Sequence, residues 1–81
     1  MKLERSKKYP HMIRVVGSAT YRKHSYRVRV RPIHTGLYPS PDYKVIDEST
    51  TITRSGKPVS DLARRCIITD IVAFLEEEMS P

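Results

Sequence analysis

Tyr26-Arg27-Val28-Arg29-Val30-Arg31 alternates apolar and cationic residues without a break. An extended chain sends successive side chains to opposite faces, so Tyr26, Val28 and Val30 fall on one side and three arginines on the other. Alternate side chains on a strand are about 6.7 Å apart, so the three guanidinium groups span about 13 Å. One nucleic-acid strand carries a phosphate about every 3.4 Å of axis, and such a row can follow several of them. Arginine suits this work because its planar fork grips phosphate with two hydrogen bonds and stays charged. Arg14 belongs to the same face, and Arg22 and Lys23 at the adjoining turn extend it. The chemistry on offer is capture of a polyanion. The competing expectation is that Asp47, Glu48 or other acids neutralise the row across the sheet. Two or three carboxylates are too few to cancel the whole surface.

The charge distribution points the same way. The formal net charge is +6 over 81 residues, but it is unevenly placed. Met1 to His34 holds ten Lys and Arg against one acid, Glu4, whereas Thr35 to Pro81 holds five basic residues and eight acids. The two parts therefore carry +9 and −3. Such separation favours an anionic partner for the first part, either nucleic acid or an acidic protein surface.

The remaining chemistry-bearing residues are less telling. Of the five tyrosines, Tyr21 and Tyr26 fall on the apolar face by the pleat, away from the arginines, and read as structural. Tyr38 lies in a stretch rich in proline and glycine and is a candidate contact for a base or a protein partner. His11, His24 and His34 are far apart, and Cys66 has no partner at zinc-finger spacing, so no metal site or cofactor is expected. His24 beside Lys23 and Arg27 is the best-placed acid or base for a small nuclease, yet no matching carboxylate or nucleophile spacing supports it. The expectation is a protein that is not an enzyme. Gly56-Lys57-Pro58 lacks the first glycine and the hydroxyl residue of a phosphate-binding loop and reads as an ordinary turn.

The elements that must position these residues follow from pattern and punctuation. Residues 1–10 are polar, basic and aperiodic, and read as a flexible arm; residues 11–81 make one small domain. A chain of this size buries only about 60–65% of its unfolded surface. His11 to Arg22 reads as a first strand, with Ile13, Val15, Ala19 and Tyr21 on one side. Gly17 marks a bulge or a close backbone approach. Tyr26 to Ile33 is the second strand. Matching the two apolar faces requires paired positions to sum to an odd number. A two-residue loop at Lys23-His24, or a four-residue loop, meets that condition and sets Tyr21 opposite Tyr26 and Ser18 beside Arg29. Residues 34–42 form a loop, and Tyr43 to Arg54 reads as a third extended segment ending at Ser55-Gly56-Lys57.

From Pro58 to Met79 the pattern is helical, with Pro58 or Ser60 at the start. Val59, Leu62, Ala63, Cys66, Ile67 and Phe74 share one stripe, and Ile68, Ile71, Val72, Leu75 and Met79 another. Asp70 falls within the first stripe, where a lone carboxylate is costly. Either the helix breaks near Thr69-Asp70, or one continuous helix packs on the sheet with one stripe and on a second copy of the chain with the other. A homodimer through this helix is the favoured outcome.

The fold expected is α+β, a three-stranded antiparallel sheet with a C-terminal helix on its apolar face (βββα). The longest apolar run near the end, Ile71 to Leu75, is far short of the roughly 20 residues that cross a bilayer, and the lone cysteine suits a reducing compartment. A cytoplasmic location away from membranes is expected. The function expected is that of a small basic nucleic-acid-binding or regulatory protein. The alternative is an inhibitor or adaptor gripping an acidic protein with the same face.

Overall fold

Apolar residues at every second position give β2 (Met12–Tyr21) and β3 (His24–His34) one dry face each, and these two strands form the centre of the molecule. The computed structural model describes residues 1–5, 7–9, 12–34 and 43–78, without the side chains of 33, 34 and 43. Among the described residues the sheet has five antiparallel strands in sequential order. They are β1 (Lys2–Arg5), β2, β3, β4 (Thr50–Arg54) and β5 (Lys57–Pro58). Two helices complete the order, α1 (Tyr43–Ser49) before β4 and α2 (Asp61–Glu78) after β5. The α+β class and the C-terminal helix are as the sequence predicts; the strand number is five rather than three.

Both additional strands are short edges. Lys2–Arg5, within the stretch read as an arm, pairs with β2 from Lys2 opposite Val16 to Arg5 opposite Ile13. Leu3 alone supplies the apolar anchor, packing against the core beside charged neighbours. Short, charged strands of this kind blunt a sheet edge against unwanted pairing. Lys57–Pro58 forms the opposite edge, where proline's missing N–H does no harm.

The β2–β3 register keeps the expected odd parity but is offset by two residues. Tyr21 pairs with His24, Ala19 with Tyr26, Ser18 with Arg27 and Val16 with Arg29. The loop is therefore Arg22-Lys23, and both residues adopt positive φ, 49° and 67°. A two-residue hairpin favours this primed turn because its twist matches that of the strands. Neither residue suits it, since side chains other than glycine and asparagine avoid the left-handed region at about 1–2 kcal/mol each. The turn carries no sequence signature, which is why the loop cannot be placed by inspection.

Gly17 marks a close approach. Its φ is 133°, and a Cβ there would stand 3.1 Å from the Met1 Cα at the end of β1. The irregularity in the ladder lies elsewhere, between the pairs Ile13–Ile33 and Val15–Val30, where Arg31 and Pro32 together face Arg14. Proline is tolerated in a sheet at such a bulge.

The third extended segment is corrected. Tyr43–Ser49 is helical and only Thr50–Arg54 is a strand. Seven residues cannot hold a helix alone. Here Ile46 is fully buried, and the Thr50 hydroxyl donates to the Ile46 carbonyl oxygen. Tertiary contacts override the strand preference of Val45 and Ile46.

α2 starts where Ser60 caps it: the Ala63 N–H donates to Ser60 Oγ at 3.3 Å, and the Arg64 N–H to the Ser60 carbonyl at 2.9 Å. The helix runs unbroken through Asp70, which is exposed. Its buried arc is Ala63, Ile67, Ile68, Ile71 and Leu75, drawn from the adjoining flanks of both stripes. The centre of the buried face lies near Ile71, so Asp70 is turned away at 100° per residue. Leu62 is left 54% exposed. Against this arc pack Ile13, Val15, Val28, Val30 and Ile52 from the sheet, in one core with Ile46.

Candidate functional site

Across the face of the sheet opposite α2, two rows of residues run perpendicular to the strands. One is Lys2, Val16, Arg29 and Thr51; the next is Ser18, Arg27 and Thr53. Val28, Val30 and Ile52 alternate with these positions and are buried under the helix. Core packing thus fixes which side the arginines take, because a one-residue slip would bury them. Arg27 and Arg29 are exposed, and among the described residues neither has a hydrogen-bond or carboxylate partner. They border a shallow groove of about 740 Å³, with Ser18, Ser25, Thr53 and Ser55 along its sides. Hydroxyl groups beside free guanidinium groups are hydrogen-bond donors available to the same anion.

The other cations predicted for this face have different fates. Arg14 is turned to Glu4 on the neighbouring strand, its Nε 3.0 Å from the carboxylate and its Nη2 on the same oxygen. Arg31 donates to the Glu48 carbonyl at 3.2 Å, at the end of α1. Both are expected from the sequence to contact nucleic acid; each has an internal partner in the free protein, because the fold brings Glu4 and the α1 terminus near. Arg22 and Lys23 are exposed at the turn, with Arg22 lying 5.4 Å from the centre of the Tyr21 ring. Tyr38 lies outside the described residues.

The acids do not cover the row. Asp47, proposed as its neutraliser, sits on the helical side and faces Arg64 at 3.4 Å. Arg64 Nη2 also lies 2.7 Å from the Asp47 carbonyl and 3.0 Å from that of Thr50. Arg31, Arg64 and the Thr50 hydroxyl together satisfy carbonyls that the end of a helix leaves open. Glu48 contributes its backbone oxygen, not its carboxylate, to Arg31. At the far end of α2, Glu78 borders a hollow shared with Lys2 and Arg5 of β1.

Two cations escaped the sequence reading. Arg54 and Lys57 flank the turn Ser55-Gly56, both exposed, beside the Arg22-Lys23 turn. Arg54 Nη2 lies 3.0 Å from His24 Nδ1, and its guanidinium stands 6.0 Å from the centre of the Tyr26 ring. Their signal was the Ser55-Gly56 pair, which suits a two-residue hairpin once a strand follows it. Tyr21 and Tyr26 pack at 6.3 Å on the helix side of the sheet, as the pleat predicts. Among the described residues no three His, Cys, Asp or Glu groups gather as metal ligands, and no helix is long and apolar enough to cross a membrane.

No family model matches the chain, and neither a curated protein nor a solved structure matches it.

Proposed function

We propose that this protein binds nucleic acid through the open face of its sheet, with Arg27 and Arg29 as the principal phosphate contacts. The observation that carries this reading is the contrast within one sheet. Arg14 and Arg31 are held by internal acceptors, while Arg27 and Arg29 stand exposed among hydroxyl groups with no described partner. Guanidinium groups about 6.7 Å apart on a rigid strand can each take a phosphate. Hydroxyl neighbours leave the groove open where large side chains would fill it. Tyr21 and Tyr26 lie on the helix side of the sheet, away from Arg27 and Arg29, so recognition by these arginines falls on the backbone rather than the bases.

Binding of a labelled oligonucleotide across a range of salt concentrations tests the reading. The logarithm of affinity should fall linearly with the logarithm of salt, and Arg27→Ala or Arg29→Ala should each reduce that slope by roughly one. Affinity indifferent to salt overturns the proposal. Capture of one acidic protein from an extract, undiminished by nuclease and lost in Arg29→Glu, would assign the same face to an acidic protein surface instead.

A further inference from the structure

The end of the sheet holds a second group of cations that the open face does not account for. Thr53 pairs with Arg27 and Arg54 with Lys57, so the β4–β5 turn ends beside the start of β3 and the β2–β3 turn. Arg22, Lys23, Arg54 and Lys57 meet there, all exposed. Among the described residues no carboxylate forms an ion pair with any of them, Asp61 at the start of α2 included.

Two features set this end apart from an ordinary solvated surface. The first is order. Arg22 stands 5.4 Å from the Tyr21 ring centre, and Arg54 meets His24 Nδ1 at 3.0 Å and stands 6.0 Å from the Tyr26 ring centre. These contacts restrict both guanidinium groups on the helix side of the sheet end, so a ligand from the open face meets them by passing over that end. The second is the choice of turn residues. Positions 22 and 23 take positive φ, where asparagine and glycine are preferred, yet the chain places an arginine and a lysine there. Strain kept at an exposed apex points to a use for the side chains it carries.

We infer that Arg22, Lys23, Arg54 and Lys57 form a second phosphate-contact cluster, engaged by the same ligand that lies along Arg27 and Arg29. This rests on the proposed function and adds the class of ligand: a phosphodiester chain with a minimum length. Five residues of β3 separate Arg29 from His24 at the turn, about 17 Å of strand. At about 3.4 Å per phosphate, a chain must present about five phosphates to contact Arg29, Arg27 and the turn together. A shorter oligonucleotide seated on both Arg27 and Arg29 does not reach the turn.

The double variant Arg22→Asn/Lys23→Gly removes two charges and installs residues the turn prefers, so its melting temperature should equal or exceed that of the parent. Arg54→Gln/Lys57→Gln removes the other pair. Thymidine oligonucleotides of 4 and 12 residues are titrated against the full chain at several salt concentrations, with NMR shifts following the shorter one. Each tip variant should lower the salt slope for the 12-mer by about 1.4, the loss of two single-strand phosphate contacts. Each should leave the affinity for the 4-mer within twofold. Arg27→Ala/Arg29→Ala should weaken both ligands. If both tip variants bind the 12-mer as the parent does, this inference fails and the open-face reading stands. Should the parent bind neither oligonucleotide, both fail.

Discussion

Arg29 and Arg31 are two residues apart on one strand, the second at the bulge, and they do different work. Arg31 faces the end of α1 and gives a hydrogen bond to a backbone carbonyl. Arg29 faces Val16 and Thr51, neither of which carries a charge. Arg14 and Arg64 extend the comparison, the first locked to Glu4 and the second to three oxygens at Asp47 and Thr50. Residue type made all of these arginines equivalent. Their neighbours divide them into groups that hold the molecule together and groups that remain available to a ligand.

That division can be broken by measurement, most strongly at Arg64. Truncation in Arg64→Ala leaves the exposed Asp47 carbonyl and the part-buried Thr50 carbonyl without their charged donor, at a cost of about 1–2 kcal/mol. Urea unfolding should show that loss, while oligonucleotide affinity under native conditions stays close to the parent's. Arg31→Ala removes one exposed hydrogen bond to the same helix end and should cost about 1 kcal/mol or less. Arg27→Ala and Arg29→Ala should change stability by no more than about 0.5 kcal/mol, since among the described residues their exposed side chains make no hydrogen bond or ion pair. Losing as much stability at Arg29 as at Arg64 would show that the free arginines are structural after all.

The sequence exposes this division only in part, and the reason is range. Alternation along Tyr26–Arg31 is a local property, and it correctly places Val28 and Val30 inside and Arg27 and Arg29 outside. Parity of the hairpin register, the Ser60 cap and the tight contact at Gly17 are legible for the same reason. Partners are not local. Glu4 reaches Arg14 only because Lys2–Arg5 forms a strand, and one leucine among three charges is too little pattern to announce it. Glu48 reaches Arg31 through α1, a helix of seven residues that depends on the contacts it makes. The two-residue offset hides behind a turn whose residues contradict its conformation. A face of the sheet can be read from periodicity, whereas the surviving charge on that face needs the whole fold.

The smallest effect offers the sharpest test of the division, because it converts one class into the other. Glu4 and Arg14 form a pair at the rim of the open face, with side chains 35% and 43% exposed. A pair so wet contributes at most about 1 kcal/mol to folding. Glu4→Gln keeps the shape of the side chain and a hydrogen-bond acceptor but removes the charge that holds Arg14. Arg14 lies on the same face as Val16, the partner of Arg29, two residues earlier in β2, so its freed guanidinium joins the row. Stability should fall by less than about 1 kcal/mol, while the salt slope for oligonucleotide binding should rise by up to about one. Arg14→Ala should leave the parent's slope nearly unchanged and abolish the gain in the Glu4→Gln background. A gain that survives without Arg14 would mean that Glu4 acts only by long-range repulsion of the ligand, and the occupied arginines would then hold nothing in reserve.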